Sequence, residues 1–255
     1  MTTPDLSPPD LRWRVERVCH LAWPSLKEED QGDWVFRFSG GLSRRGNSAN
    51  PRRAVSSDLD SMLKAAEAAY PREGLPIIVR VPGMLKAAVE TELAARGFRP
   101  EGETLTLHCD LPQMPMRRDP DVHIAQRPDA AWLERLWDLK SLSEHDRRTY
   151  RAIVGALSVP AGFMTLRIGG IDVAMGFVAI HDRLACIESL ITDPAHRGRG
   201  HAKRLIGAML AWAIGEGAEG ACLQVVADND IAIRLYRGMG FRDLYPYRYW
   251  RGSAQ

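Results

Sequence analysis

The sequence predicts a mixed α/β fold: a twisted mixed sheet flanked by helices, with a second, smaller α/β module at the N-terminus. Three observations predict it. The apolar runs "GFMTLRI", "DVAMGFVAI" and "ACIESLIT" follow one another with only short turns between them. The glycine-arginine loop "DPAHRGRGHAKRL", residues 193–205, then empties into a helical pattern with a wide apolar face. A proline- and charge-rich stretch, "LPQMPMRRDPDVH", interrupts the patterning near residues 111–121 and reads as a linker between modules 1–117 and 118–255.

In the second module, Val122 to Gln126 reads as a short strand. Helices follow in "DAAWLERLWDL", where Trp132, Leu136 and Leu139 share a face, and in "EHDRRTYRAIVGAL". The turns "GGID" and "HDR" make antiparallel hairpins of the next three strands. After the glycine loop, Leu205, Met209 and Trp212 form one stripe and Ile206, Leu210 and Ala213 another, as on a helix lying against a sheet. The strand "ACLQVVA", the helix "NDIAIRLYRGMG" and the strand "RDLYPYRYW" complete an order β-α-α-β-β-β-α-β-α-β. The first module shows a helix ending at "HLAWP", a strand in "DWVFRFSGG" and an arginine-rich turn, "LSRRGNSANPRR". A helix around Asp58 to Tyr70, the strand "PIIVRV", a helix around Met84 to Arg96 and the strand "ETLTLHCDL" follow. Both modules end helix, strand, helix, strand, with "RGF" or "MGF" before the last strand, a weak internal repeat whose first copy lacks a glycine loop.

Bulk properties narrow the function. The 255 residues are 45% hydrophobic, enough for a sizeable core, and carry a net charge of only +2 with both signs interspersed. That balance argues against a dedicated nucleic-acid binder, which must offset many phosphates. The start "MTTPDLSPPD" is unlike a secretory signal, and the uncharged run Leu205 to Gly215 is too short for a bilayer. Cys19, Cys109, Cys186 and Cys222 have no paired spacing and read as buried, reduced thiols of a cytoplasmic protein. The histidines make no cluster, so no metal site is expected.

The glycine loop admits three readings. Unpaired amides at a helix start carry the positive end of the helix dipole, and Gly198 and Gly200 would let an anion approach them, with Arg197, Arg199 and Lys203 adding charge. The same letters also describe a plain strand-to-helix turn with surface arginines. A dinucleotide loop fits poorly, because the third glycine position of G-x-G-x-x-G holds Lys203 and hairpin strands precede it.

Taken together, "ESLITDPAHRGRGHAKRLIGAML" and "NDIAIRLYRGMGF" resemble the GNAT superfamily of acyl-CoA-dependent N-acyltransferases over roughly residues 120–250. The family's Q/R-x-x-G-x-G/A signature is met by Arg197, Gly200 and Ala202. Its asparagine, "A-x-x-L-Y" run and closing "G-F" are met by Asn229, by Ala232, Leu235 and Tyr236, and by Gly240 and Phe241. Thr192 stands where valine is frequent, a mild departure. The first module's "GDWVFRFSGGLSRRGNSANP" is similar to the leading half of two-module members, read as a degenerate copy.

The resemblance implies an N-acetyltransferase acting on acetyl-CoA, or another short acyl-CoA, and on an amine, small molecule or protein. It implies that the backbone of Leu190, Ile191 and Thr192 pairs with the pantetheine arm. The amides from Gly198 through Arg199, Gly200, His201 and Ala202 to Lys203 would cradle the pyrophosphate. A free alkyl amine has a pKa of about 10, so a proton must leave for it to attack. Glu188 stands where relatives place a general base, and is otherwise a satisfied glutamate. Glu144, His145, His181 and Asp182 are weaker candidates. Tyr236 occupies the family's position for the acid that meets the departing thiolate, and Asn229 is either a helix cap or a cofactor contact. The arginine turn reads as a solvated loop, an acidic-substrate site or a contact between modules. A non-catalytic acyl-CoA-binding protein is the alternative. The acceptor, the acyl chain and the oligomeric state stay open.

Overall fold

The computed structural model describes residues 10–53, 59–85, 87–112 and 118–252. The polar, proline-rich start and the middle of the expected linker lie outside the described residues. The first half contains α1 (Leu11–Ala22), β1 (Lys27–Gln31), β2 (Trp34–Phe38), a 3-10 turn (Arg44–Gly46), β3 (Ala49–Pro51), α2 (Leu59–Arg72), β4 (Ile78–Pro82), α3 (Ala87–Ala95) and β5 (Arg99–Asp110). The second contains β6 (Val122–Ala125), α4 (Ala130–Lys140), α5 (Glu144–Gly155), β7 (Ala161–Ile168), β8 (Ile171–His181), β9 (Leu184–Thr192), a 3-10 turn (Pro194–His196), α6 (His201–Gly215), β10 (Gly220–Val226), α7 (Asp230–Arg237) and β11 (Arg242–Arg251). The fold is the expected mixed α/β architecture, and the element order of the second half is the one read from the sequence.

Two strands escaped the sequence pattern. β1 is "KEEDQ", an edge strand whose charges guard its open side instead of alternating with apolar residues. β3 has only three residues, all buried between β2 and β4. Elsewhere the local chemistry explains the boundaries. Asp129 and Ser143 cap α4 and α5 by accepting from the backbone amides of Trp132 and Asp146. Asp182 and Arg183 make a two-residue turn with both φ angles positive, the geometry that suits the twist of the β8–β9 hairpin.

All eleven strands join one sheet in the order β1-β2-β3-β4-β11-β5-β10-β9-β8-β7-β6. Two neighbouring pairs are parallel, β3–β4 bridged by α2 and β9–β10 bridged by α6. The centre is an exchange. β5, the last strand of the first half, lies between β10 and β11, and β11, the last of the second, lies between β5 and β4. Leu205, Met209 and Phe241 centre the core on one sheet face, under α6 and α7. On the other, α1, α4 and α5 bury Val15, Leu136 and Ile153.

A buried polar knot fastens the halves together. Glu16 of α1 accepts two hydrogen bonds from the Arg80 guanidinium of β4 and one of 2.5 Å from the Tyr245 hydroxyl of β11. Arg80 also lies 3.8 Å over the Tyr247 ring. Stranding one buried charge of such a pair costs about 3–5 kcal/mol. Cut between 117 and 118, the chain would leave β10 and β11 with bare edges. The piece 118–255 alone is therefore expected to show no cooperative melt by circular dichroism, and co-expression with 1–117 is expected to restore one.

Candidate active site

β9 and β10 pair only at their beginnings, Leu184–Cys186 with Gly220–Cys222. Beyond them the strands part. The cause lies on the other edge of β9, where Ser189 and Leu190 together stand opposite the single residue Gly176. This bulge holds Ser189 at φ 54, and the Tyr150 hydroxyl of α5 fixes it by donating to Ser189 Oγ at 2.9 Å. Glycine at 176 lets the bulge sit close, because a Cβ there would meet Met209 Cε at 2.9 Å and the Leu190 Cα at 3.1 Å. β10 keeps its other partner, β5, along its whole length. Among the described residues, the edge of Leu190–Thr192 that faces the opening has no strand partner.

α6 starts at the mouth of this opening. Gly198 and Gly200 have φ of 75 and 78, and no atom lies within 4 Å of a Cβ built on either. Gly200 is the helix cap and offers no side chain, so the first amides of α6 have no capping partner among the described residues. The loop is pinned on both sides. Asp193 accepts from the Ala195 amide at 2.9 Å and from Arg135 at 2.5 Å, while Arg204 grips Asp119 and Asp121 at 2.8 and 2.6 Å. Arg199 and Lys203 are exposed with no ion pair among the described residues, and Arg197 reaches only the Thr192 carbonyl, at 3.4 Å. His201 and Ala202 form the first turn, with His201 Nδ1 buried and unpartnered. Asn229 caps α7 through a bond of 3.1 Å from the Ala232 amide.

Tyr236 and Glu188 approach the opening from opposite faces of the sheet. Tyr236 packs in the α6–α7 core against Phe241, and its hydroxyl has no hydrogen-bond partner among the described residues. Burial, with help from the Glu188 charge, pushes its phenol up to about 12. Glu188 follows Cys186 on the α1 face and is 7% exposed. Arg45 binds both its oxygens, each at 2.8 Å. Burial pushes the Glu188 carboxyl above the ordinary range, against the pull of Arg45.

The arginine turn is not a solvated loop: it forms one wall of the site. Ser43 and Asn47 brace the turn, Trp23 donates to Ser43 Oγ at 3.1 Å, and Arg45 lies 5.4 Å over the Trp23 ring. Arg45 also donates to Gln224 Oε1 at 2.9 Å. Ser43, Arg45 and Gln224, with Glu188, Tyr247 and Tyr249, line an open cavity of about 510 Å³. The weaker candidates lie elsewhere. Glu144 pairs with Arg148 and His145 with the Gly40 carbonyl, while His181 and Asp182 are bound by Arg17 and Arg14 of α1. Gln224 is a wall residue that the sequence marks only by a lone amide inside the apolar run "ACLQVVA".

The four cysteines are free and buried, as expected. Spacing separates them, but folding brings Cys19, Cys186 and Cys222 together in the core, with sulfurs 3.7 and 4.0 Å apart, near enough to share a metal ion. Cys186 also reaches Glu188 Oε1 at 3.6 Å. Cys109 stands apart, its thiol pushed up to about 11 by burial.

With this geometry in view, residues 10–250 match the family model described as "Probable histone acetyltransferase Rv0428c C-terminal". The chain belongs to this family, within the GNAT superfamily. It is 24% identical over 247 residues to the uncharacterized N-acetyltransferase YobR of Bacillus subtilis, covering 94% of this chain and 98% of that one. A 70-residue stretch is 47% identical to the uncharacterized protein ML0378 of Mycobacterium leprae, over 27% of this chain and 18% of that protein. In fold, it is similar to a GCN5-related N-acetyltransferase from Kribbella flavida, with a TM-score of 0.71, 17% identity and coverage of 97% and 98%. It is also similar to a tandem GNAT protein from the clavulanic acid biosynthesis pathway, with a TM-score of 0.65, 12% identity and coverage of 100% and 92%.

Two glycines of this GNAT chain should respond oppositely to alanine. Gly176→Ala crowds the bulge and is expected to cost about 1–3 kcal/mol in urea unfolding and to weaken acetyl-CoA binding. Gly207→Ala, inside α6 with open space around it, is expected to gain roughly 0.5–1 kcal/mol and to leave binding unchanged.

Proposed function

We propose that the protein transfers an acetyl, or other short acyl, group from its coenzyme A thioester to an amine by direct attack. The observation that carries this is the conjunction of an unpaired β9 edge with uncapped α6 amides at its end. One side is a strand edge able to take an amide-bearing arm, and the other a cradle for a pyrophosphate. Leu190, Ile191 and Thr192 would bind the pantetheine arm through their backbone. Gly198, Arg199, Gly200, His201, Ala202 and Lys203 would hold the diphosphate, with Arg197 beside it and Asn229 at the far wall. The bound donor supplies an activated thioester carbon that a neutral amine attacks. Glu188, directly or through water, takes the proton the amine sheds as the C–N bond forms. Backbone amide near Leu190 meets the developing negative oxygen. Tyr236 gives its proton to the thiolate as the C–S bond breaks.

In this reading residues 118–255 carry the chemistry, in the cytoplasm, where acetyl-CoA is supplied. Residues 1–117 are a degenerate GNAT-like module that shapes the acceptor side through the arginine turn. Both small-molecule and protein amines are acceptors in principle, including the histones that the family description names. One observation favours the alternative of a non-catalytic acyl-CoA-binding protein: Arg45 occupies both oxygens of the proposed base.

Kinetics separate the two. Acetyl-CoA and coenzyme A are expected to raise the melting temperature, by about 2.7 kcal/mol of stabilisation at a hundredfold excess over Kd, with NAD and ATP inert. Tyr236→Phe and Glu188→Gln are each expected to lower kcat by roughly 10²–10⁴-fold while thermal shifts persist. Binding with no amine ever acylated would establish the alternative.

The pH profile carries a separate signature. Glu188 acts ionised, and its carboxyl is raised, so kcat/KM is expected to fall on acidification from a higher pH than an ordinary glutamate would give. Tyr236 acts protonated and stays so up to about 12, so no tyrosine limb is expected in the neutral range. A pH–rate profile reads both.

A further inference from the structure

The acceptor cavity has a chemical bias of its own. Four cationic side chains surround it or reach its field: Arg44, Arg45 and Arg251 in the wall, and Lys140, whose ammonium feels both Glu188 and Arg45. Two carboxylates answer them. Glu188 is taken by Arg45, and Glu101 is shared by Arg44 and Arg251 at 3.3 and 2.5 Å. Arg44 and Arg251 keep 39% of their side chains exposed. Deeper in, the Gln224 amide gives its oxygen to Arg45 and the Tyr247 hydroxyl, while its Nε2 is buried with no acceptor among the described residues. Buried donors without acceptors are costly, so the wall lacks anionic oxygen.

From the acyltransferase reading above, we infer that the acceptor is an amine that also carries a carboxylate. The Arg45–Glu188 pair is then a stand-in for the bound substrate. A guanidinium already grips a planar carboxylate here, with a hydrogen bond of 2.8 Å from Nη2 and an ion-pair contact of 2.8 Å at Nη1. An incoming amino-carboxylate exchanges that internal pair for two external ones: its carboxylate takes the Arg45 fork and the Gln224 Nε2, and its ammonium takes Glu188. The exchange releases Glu188 from Arg45 when an amine is present to be deprotonated, which removes the objection to Glu188 as a base. The same excess of positive charge repels a lysine embedded in a basic peptide, which brings no anion for the fork and adds cations at the rim.

The test is an acceptor panel run on the full chain with acetyl-CoA, with products read by mass spectrometry. Glycine, β-alanine and γ-aminobutyrate are compared with their carboxylate-free counterparts methylamine, ethylamine and propylamine, with aminoalkyl phosphonates, and with a lysine-rich basic peptide. The expected result is a kcat/KM at least roughly 10-fold higher for an amino-carboxylate than for its partner amine, the scale of a charge-assisted bidentate contact. Arg45→Gln is expected to abolish that ratio by raising KM for the carboxylate acceptors, and Arg45→Lys to restore only part of it. Preference for the bare amines, the phosphonates or the basic peptide overturns the inference, as does an unchanged ratio in a folded Arg45→Gln. If Arg45→Gln does not fold, the ratios of the unsubstituted protein decide. Acylation of nothing, with acetyl-CoA still bound by calorimetry, instead overturns the acyltransferase reading beneath it.

Discussion

Everything at the site depends on where β9 and β10 stop pairing. A parallel pair left incomplete exposes backbone donors and acceptors that would be satisfied in an unbroken sheet, and such groups are costly to leave without partners. The chain meets that cost deliberately. It places a bulge at Ser189–Leu190, a glycine at 176 to let the bulge close against β8, and a tyrosine hydroxyl to fix it. The opening is thus built by the strand on its far side and braced from α5. Because α6 must cross from β9 to β10, its free amides fall at the end of the same gap. One local departure from sheet geometry positions a strand edge and a helix start together.

The strand exchange at the centre of the sheet has a comparable consequence. With β5 between β10 and β11, the wall of the cleft includes the first half of the chain, and β11 reaches across to β4. The knot of Glu16, Arg80 and Tyr245 joins three elements from both halves in a buried network. Through this frame the arginine turn arrives at the site as a rigid part. Its guanidinium meets a carboxylate 143 positions away in the sequence.

That distance explains what the sequence conceals. Helices and hairpins are legible because their periods are local: Trp132, Leu136 and Leu139 announce a helix face, and "GGID" announces a turn. The glycine loop and "RLYRGMGF" are legible for the same reason, since all their parts lie within one crossover. β1 is not legible, because an edge strand written "KEEDQ" carries no period of two. Neither is the exchange of β5 and β11, since an antiparallel strand reads alike beside any neighbour. The cysteine trio is hidden for a like reason. Cys19 lies 167 and 203 residues from its two sulfur neighbours, and no spacing rule spans that. Arg45 was visible as a charge but not as a partner, because its chemistry is decided by Glu188 and Gln224 across the sheet.

The two faces of the sheet divide the proposed work. Alternation along β9 sends Ile187 to the α6–α7 core and Cys186 and Glu188 to the α1 side. Tyr236 belongs to the first core and Glu188 to the second wall, so a sheet that stayed paired would keep them apart. The opening is where they meet electrostatically, since the Glu188 charge helps hold the Tyr236 proton in place. An acid and a base on opposite faces cannot neutralise each other by direct proton transfer, as two groups in one pocket would. In the proposed chemistry each is held ready for its step: the phenol stays protonated in its apolar core, and Arg45 holds the carboxylate until an acceptor takes its place. The separation follows from the period of two in a strand and needs no further device than the gap between β9 and β10.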